Sequence, residues 1–350
     1  MVEYTGAIHI HSVFSDGTGS IDEIAGYANE CGLDFIILTD HNTLRALHEG
    51  FEGWHNETFL LVGCEINDKQ NKNHYLALGI NETFSTRLPA KEYVAKVKEA
   101  GGIGFLAHPN EKRNLMKKHP PYPWTEWDID DFTGIEIWNH MSEWMEGLTD
   151  QNKYNYFIHP LKSIYSPPKE TLEIWDKISM RRNVVGIGGV DAHAHKINLL
   201  GLVELEVFPY KVLFKSIRTH ILLDEKLLIS NERENIDRSK KMIYAALADG
   251  RCFVSNFYHG DAGDFRFFAQ LQDGTSVPMG SSIDSVEGVI LKTEVPAEEV
   301  EIRLICNGMM LESSKMPYFE HRVKEKGAYR IEVYRNKNAW IFSNHIRIGL

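Results

Sequence analysis

Cysteine is scarce in this chain, and the four cysteines that occur lie far apart. Cys31, Cys64, Cys252 and Cys306 form no Cys-x-x-Cys pair, which argues against both a zinc–thiolate site and a disulfide framework. We interpret them as small apolar side chains of the interior.

Long apolar runs and an excess of basic charge are also missing. No stretch reaches the ~20 apolar residues that a membrane-spanning helix needs, and the N-terminus has neither the basic nor the apolar segment of a signal peptide. We therefore predict a cytoplasmic protein with no membrane partner. The 49 Asp and Glu residues outnumber the 38 Lys and Arg, for a net charge of -11. General nucleic-acid binding needs a basic face and is excluded.

The chain does contain a regular alternation of apolar strands and helical segments. Its 350 residues exceed one ordinary core and favour either one large barrel or a barrel with a small second domain. The apolar runs lie at residues 35–39, 59–65, 74–79, 103–108, 134–139 and 184–190. Strands that alternate with helices and end in polar residues are typical of a β/α barrel whose site lies at one mouth.

Several helices are indicated by their boundary residues. Ser20 and Glu23 form a capping box before a helix that Gly32 ends. Pro89 opens another helix, which ends at Gly101. Helical patterns also cover residues 142–182, 211–228 and 239–250.

The pattern changes near residue 258. Short alternating runs separated by Gly, Pro, Asn and Asp follow, which predicts an all-β module, a small sandwich. We therefore divide the chain into a barrel at 1–257 and a β-sandwich domain at 258–350.

The opening strand carries the first chemical signal. His9 and His11 alternate with Ile8 and Ile10, so on an extended strand the two imidazoles share one face. Two imidazoles on one buried face favour a bound cation. The turn that follows adds Asp16, a further oxygen ligand.

Similar polar residues recur at the ends of the other apolar strands. They are His9, His11, Asp16, Asp40, His41, Glu65, His74, His108, Asp191 and His193. Each alone has an ordinary explanation, such as a helix cap or a loop histidine, but their recurrence at successive strand ends favours a metal site. Nitrogen and oxygen donors without a thiolate suit Zn, Mn or Fe. So many ligands exceed what one ion takes, which predicts two or three divalent ions, with Glu65 or Asp191 as a bridge.

These motifs, in this order, closely resemble those of the PHP (polymerase and histidinol phosphatase) domain. The resemblance rests on His9-x-His11 with Asp16, Asp40-His41, Glu65 followed by His74, His108-Pro109 and Asp191-Ala-His193, and it covers about residues 1–255. It implies a distorted, TIM-like (β/α)7 barrel with up to three metal ions at the carboxyl-end mouth.

The resemblance also implies a role for each residue. His9, His11, Glu65 and Asp191 would hold the first ion. Glu65 would bridge to a second ion bound by His74 and His108. Asp16, His41 and His193 would hold a third, and Asp40 would orient a histidine.

Two departures from the family pattern stand out. The spacing from Glu65 to His74 is short, which makes His74 the least secure ligand, and Val190 stands where many members have Ser. In the tail, residues 327–334 and 340–348 resemble the closing strands of the PHP subgroup that includes CehA-like hydrolases.

The function that this resemblance implies is hydrolysis of a small organic phosphate ester by a hydroxide that bridges two metal ions. Asp40, His41 and His193 are the candidates for proton transfer. One alternative is a hydrolase of amide, ester or carbamate bonds, because the same ligands serve attack on a carbonyl carbon. A second alternative is a non-catalytic metal-binding scaffold.

A basic and aromatic loop, residues 110–124, follows the strand that ends at His108. Such loops often contribute to substrate binding. Lys112 and Arg113 are candidates to bind a phosphate, and Tyr122 or Trp124 to cover an organic group. Asn139 and His140, at the next strand end, are further substrate-binding candidates. The expected partner is thus a small, anionic, phosphorylated molecule.

Overall fold

The computed structural model describes residues 1–113, 120–199 and 203–350 of the chain. Helices and strands alternate up to about residue 256, and strands dominate the rest of the described chain. The predicted mixed α/β class with a β-rich C-terminal region is confirmed. In these ranges, no helix combines the length and the apolar character that crossing a membrane requires.

The described elements are named in chain order. The strands are β1 (Val2–Ile10), β2 (Phe35–Leu38), β3 (Gly53–His55), β4 (Thr58–Ile66), β5 (Tyr75–Leu78), β6 (Ile103–Leu106), β7 (Gly134–Asn139), β8 (Val185–Gly189), β9 (His195–Leu199), β10 (Val203–Val207), β11 (Ile217–Leu223), β12 (Cys252–Asn256), β13 (Arg266–Gln270), β14 (Ser276–Pro278), β15 (Ser282–Ile283), β16 (Ile290–Glu294), β17 (Val300–Cys306), β18 (Met309–Ser314), β19 (Tyr318–Arg322), β20 (Gly327–Arg335), β21 (Asn338–Ser343) and β22 (Ile346–Ile348). The α-helices are α1 (Ile21–Glu30), α2 (Arg45–His48), α3 (Ala90–Glu99), α4 (His140–Gly147), α5 (Lys153–Ile158), α6 (Lys169–Ser179), α7 (Tyr210–Leu213) and α8 (Arg233–Asp249). Short 3-10 helices cover Pro160–Ser163 and Phe257–His259.

One large sheet runs through most of the molecule. Its order is β15-β22-β20-β21-β12-β11-β1-β2-β4-β5-β6-β7-β8, with β3, β17 and β18 attached to it. Strands β1, β2 and β4 are parallel, as are β6, β7 and β8, whereas β5 is antiparallel to both its neighbours. The carboxyl ends of the parallel strands therefore share one edge.

The segment after β8 returns to β1. The amide of Val190 donates to the carbonyl of Ile8 at 3.0 Å, and the amide of His11 donates to that of Ala192 at 2.9 Å. Among the described strands, regular pairing does not close the sheet into a barrel. These backbone bonds nevertheless bring the ends of β1 and β8 together at the edge that carries the polar residues.

The boundary signals of the early helices are confirmed. Ser20 and Glu23 form both hydrogen bonds of the capping box at the start of α1. Gly32, just beyond the helix, has φ 65, in the left-handed region that glycine adopts without strain. These caps fix where α1 enters and leaves the sheet surface.

Two helical predictions are wrong in part. Residues 211–228 form the short helix α7 and then β11, because the run from Ile217 to Leu223 pairs with both β1 and β12. Tertiary pairing here overrides a local pattern that fits either state. Residues 142–182 are not one helical stretch but α4, α5 and α6, and Pro167 and Pro168 precede the last of them.

The C-terminal strands form a second apolar core. A four-stranded sheet, β14-β13-β16-β19, faces strands of the large sheet, and Phe267, Leu291 and Ile331 are buried between them. Leu222 of β11 and Phe253 of β12 belong to the same core. The β-rich character is confirmed, while the sandwich and the boundary at 257/258 stay predictions.

Polar contacts join this region to the first part of the chain. Asn344, which is buried, accepts from the amide of Gly186 at 2.7 Å and donates to the carbonyls of Gly186 and Cys252. The two regions are thus held together by satisfied backbone groups as well as by apolar packing.

The four cysteines are free thiols; Cys64 and Cys252 are buried as predicted, and Cys31 and Cys306 are partly buried.

Candidate metal centre

The end of β1 brings two imidazoles into the interior. His9 and His11 are fully buried, with ring centroids 5.2 Å apart. The β1–β2 register shifts between Ile8 and Ile10, and His9 has φ 69. Simple alternation is therefore interrupted here, and a bulge of this kind re-aims side chains.

Glu65, at the end of β4, occupies the middle of the cluster. Its carboxylate is buried and lies 2.7–3.3 Å from nitrogens of five histidines, namely His9, His11, His41, His74 and His108. The two oxygens face different partners: Oε1 faces His74 and His108, and Oε2 faces the other three. A carboxylate so placed can bridge two cations, as predicted.

Asp191 supplies a second buried carboxylate from the segment after β8. Its Oδ1 lies 3.4 Å from His9 Nε2, 3.5 Å from His11 Nε2 and 3.5 Å from His193 Nδ1. Asp191 itself has φ 54. A non-glycine residue in the left-handed region is uncommon, and such strain concentrates at functional sites.

Asp16 approaches the cluster from the opposite, open side. It lies 3.3 Å from His193 Nε2 and 3.7 Å from nitrogens of both His11 and His41. Its side chain is 52% exposed, in contrast to the buried Glu65 and Asp191. This corner of the cluster is therefore the one that solvent and ligands reach.

The structure brings all nine predicted ligands together. Their donor atoms form four overlapping groups, each spanning at most 4.8 Å: His11, Asp16, His41 and His193; His9, Glu65 and His108; His9, His11 and Asp191; His41, Glu65 and His74. His74 joins the cluster despite its short spacing from Glu65. Ligation by each residue stays a prediction.

The donor set fits divalent metal ions. Within the described ranges, several buried ring nitrogens have no hydrogen bond, namely His9 Nε2, both nitrogens of His11, His74 Nε2 and His108 Nδ1. Buried polar atoms normally have partners, so this concentration of nitrogens without hydrogen bonds fits coordination of metal ions. Imidazole and carboxylate without thiolate suit Zn, Mn or Fe.

The buried imidazoles and carboxylates of the cluster shift one another's pKa values. Burial by itself lowers the pKa of His11 and of His108, but the surrounding carboxylates outweigh it and raise the pKa of both to about 9. Burial raises the pKa of Glu65, yet the histidines around it hold that pKa well below the usual range. At His41 burial dominates and lowers the pKa to about 4. Protons on His11 and His108 thus offset the negative charge of the carboxylates, and a bound metal cation can replace these protons.

Glu136 belongs to the site and was not predicted. From the middle of β7 its Oε1 lies 2.9 Å from His9 Nδ1, and its Oε2 accepts from the amide of His108 at 2.7 Å and from Asn139 Nδ2 at 2.9 Å. A carboxylate on the far nitrogen of a metal-binding histidine fixes the ring. The available signal was an acid within an otherwise apolar strand.

Asp40 lies beside the cluster and contacts serines. It accepts from the amide and hydroxyl of Ser12, both at 2.7 Å, and from the hydroxyl of Ser15 at 2.6 Å. These bonds hold the loop that carries Asp16. Among the described residues, no hydrogen bond joins Asp40 to a histidine, and a positioning role through the loop fits the contacts with Ser12 and Ser15.

A cavity of about 370 Å³ opens onto the cluster. Arg113 lines it beside Tyr122, whose ring stacks on His74 at 5.1 Å. Glu111 accepts from the Arg113 guanidinium at 2.6 Å and from the amide of Tyr122 at 2.8 Å, so one buried acid holds both residues. Residues 114–119 of the predicted substrate loop lie outside the described residues.

The other substrate-binding candidates lie away from the cavity. Lys112 pairs with Glu170 at 2.6 Å on the exposed surface. His140 is fully buried, and burial lowers its pKa to about 3. Asn139 is buried too, and its amide bonds to Glu136 and caps α4 through the amide of Ser142.

One family model matches part of the chain. Residues 7–159 match the family model of the PHP domain. This stretch includes the predicted ligands from His9 to His108, and Asp191 and His193 lie beyond it. An uncharacterised protein of Methanocaldococcus jannaschii is 30% identical over 118 residues, which are 29% of this chain and 66%, just under two thirds, of that protein.

Solved structures align over most of the chain at low identity. A two-domain protein from Bacteroides vulgatus, described as containing a predicted PHP-like metal-dependent phosphoesterase, is 16% identical with a TM-score of 0.44, covering 98% of this chain and 95% of its own. PsfC from Pseudomonas syringae is 11% identical with a TM-score of 0.41, covering 71% of this chain and 100% of its own. Similarity at this level carries no information about activity.

Proposed function

We propose that this chain belongs to the PHP domain family, whose model matches residues 7–159, and that it is a metal-dependent phosphoesterase acting on a small organic phosphate ester. The observation that carries the proposal is the convergence of nine His, Asp and Glu donors in one cluster, seven of which line the cavity. Hydrolysis at a cluster of this composition needs no protein nucleophile.

Two or three divalent ions, Zn, Mn or Fe, would be held by the four donor groups, with Glu65 shared between two groups. Such ions polarise phosphate oxygens and make a water more acidic. We also propose that β1 to β8 form the distorted (β/α)7 barrel, which the backbone bonds between the end of β8 and β1 support.

The protein's own groups bind the anion and handle protons. Arg113, held by Glu111, offers a positive charge to a phosphate in the cavity. If no third ion is bound, His41 or His193, which line the same cavity, can carry a proton to the leaving group. Asp40 acts on the reaction only through the loop that carries Asp16.

Turnover on a matched set of substrates tests the proposal. Protein stripped with a chelator and reloaded with Mn or Zn should hydrolyse p-nitrophenyl phosphate or its diester. Asp191→Asn should abolish turnover and reduce bound metal, whereas Asp273→Asn, in an exposed turn of the β region, should change neither. Hydrolysis of naphthyl acetate or naphthyl carbamates with no phosphatase signal would instead favour the carbonyl-hydrolase alternative.

The scaffold alternative has its own test. His11→Ala should remove metal while the fold is retained, and under our proposal it also removes turnover. If wild-type protein binds metal but cleaves none of the phosphate or carbonyl esters, the scaffold reading is favoured. A cytoplasmic location and a small phosphorylated substrate remain part of the proposal.

A further inference from the structure

The cavity beside the metal centre has two unlike walls. One wall consists of the His, Asp and Glu cluster with Arg113. The rest of the lining is mostly apolar and aromatic and is called here the apolar wall: Met141, Trp144, Met145, Phe157, Val207 and Phe208. A site for a compact, highly hydrated phosphate compound has no use for such a wall, because polar groups facing it would lose their hydrogen bonds.

The aromatic part of this wall is well defined. Trp144 packs edge-on against Phe208 with ring centroids 4.7 Å apart, and against Phe157 at 5.1 Å. Phe157 remains 37% exposed, which is high for a phenylalanine beside a cavity. An exposed apolar surface that borders a polar site is a common mark of ligand binding.

Phe208 is held in a strained conformation at the centre of the wall. Its φ of 58 lies in the left-handed region, where a bulky side chain is a genuine outlier. A second cavity of about 350 Å³ adjoins the first, and Trp144, Phe157, Val207 and Phe208 line both. Backbone strain of this kind persists only where the surrounding structure enforces it, and it clusters at functional sites.

We propose that the substrate carries an aromatic or similarly flat apolar group, which lies against Trp144, Phe157 and Phe208 while its anionic end faces Arg113 and the metal ligands. The inference rests on the proposed function, since it assigns the substrate class of the same site. The volume agrees with it: about 370 Å³ falls within the ~300–1,000 Å³ of sites that enclose organic ligands.

Binding of two phosphonates tests this class without relying on turnover. Methylphosphonate and 1-naphthylphosphonate carry the same anion, so their affinity ratio for one metal-loaded sample isolates the apolar group. Calorimetry in mildly alkaline buffer, with both ligands dianionic, should show the naphthyl compound binding at least about tenfold more tightly, as burial of a bicyclic ring predicts. A ratio below tenfold overturns the proposal.

Phe208→Gly tests the wall itself. Glycine adopts φ 58 without strain, so this variant loses the ring but also relieves the backbone strain at this position. The naphthyl preference should fall to about threefold or less, with methylphosphonate affinity unchanged. Met141→Ser, at a partly exposed wall position, decides the matter if Phe208→Gly fails to fold. Met310→Ser, on exposed β18, is the control and should keep the wild-type ratio.

The outcomes separate the two proposals. A preserved naphthyl preference in both wall variants overturns the inference and leaves the proposed function intact. Absent turnover of every ester, combined with a naphthyl preference that the wall variants lose, overturns the proposed function alone. If neither phosphonate binds, both fail.

Discussion

Asp176 and Arg330 form a two-point ion pair between residues 154 positions apart in the chain. Arg330 Nε donates to Asp176 Oδ1 at 2.6 Å and Nη2 donates to Oδ2 at 2.8 Å, with both side chains buried. His345 Nε2 lies 2.8 Å from the same Oδ1. The pair joins α6, beneath the metal centre's sheet, to β20 of the C-terminal region.

Removal of the Asp176 carboxylate should be costly. Asp176→Asn removes one of the two carboxylates that pair with the buried Arg330 guanidinium, the other being Glu332 at 2.7 Å, and breaking a buried ion pair costs about 3–5 kcal/mol. The free energy of unfolding from denaturant titration measures the loss. Asp130→Asn, which breaks an exposed pair with Arg181, should cost about 1 kcal/mol or less. Equal losses of unfolding free energy in the two variants would show that the buried pair stabilises the protein no more than the exposed pair does.

Acid should weaken the protein through this pair. Burial raises the pKa of Asp176, but the hydrogen bonds and charges of Arg330 and His345 outweigh it and hold the pKa well below the usual range. A depressed folded-state pKa stabilises the protein above the unfolded value of about 3.9 and loses that contribution as the pH falls below it. The stability difference between wild type and Asp176→Asn should therefore be constant near neutrality and shrink below about pH 4. A difference independent of pH would contradict this assignment.

Residues 1–257 alone should not fold stably. Truncation there removes Arg330 from Asp176 and removes Asn344 from the backbone groups of Gly186 and Cys252. It also exposes the apolar side chains of Leu222 and Phe253, which are buried in the second core; burying one such side chain contributes about 1.5–3 kcal/mol, a large share of the ~5–15 kcal/mol that stabilises an ordinary domain. Thermal unfolding followed by circular dichroism should show no cooperative transition, or one far below that of the full chain. A transition within a few degrees would establish the predicted boundary as that of an independent domain.

Glu136→Gln should weaken metal binding without unfolding the chain. The amide keeps the size of the side chain but replaces one acceptor oxygen, so contact with His9 Nδ1 or with the amide of His108 is lost. Loss of such an outer partner typically lowers metal affinity or activity about 10–100-fold. Competition with a chromogenic chelator measures the affinity. Glu320→Gln, on exposed β19, should leave it unchanged.

Gly189→Ala should disrupt the contact between Glu136 and His9, because the added methyl group would overlap with the Glu136 side chain. A Cβ at Gly189 would lie 1.8 Å from Glu136 Oε1 and 3.0 Å from His9 Cβ, so both side chains must move. We expect metal affinity to fall about tenfold or more. Gly26→Ala on α1 meets no atom within 4 Å and should raise the free energy of unfolding by about 0.5–1 kcal/mol. Wild-type metal affinity in Gly189→Ala would contradict the placement of Glu136.

The nine donors could be predicted from the sequence because each follows or opens an apolar strand. This pattern can be recognised without knowing how the strands pair. It missed Glu136 because this acid lies inside a strand and needs a partner, His9, 127 residues away. It also placed His140 in the substrate site, although the ring points into the core. The position of a residue along a strand can be predicted from the local sequence. The face of the sheet on which its side chain lies at a bend cannot.

The same limit explains the error at β11. Residues 217–223 are apolar enough for either a helix or a strand, and their pairing with residues 2–6 decides the outcome. No local signal contains that information. The apolar wall was missed for a related reason, since Trp144 and Phe208 come from segments more than 60 residues apart.

The central position of β1 in the sheet has a consequence for biosynthesis. Val2 pairs with Leu223, so the strand that bears the first two histidines is made first and receives that partner only after about 220 more residues. At the usual ~5–20 residues per second, the interval is roughly 10 to 45 seconds. The nascent histidines spend it outside their final environment. The donor cluster can therefore reach its final arrangement only after β11 has been made.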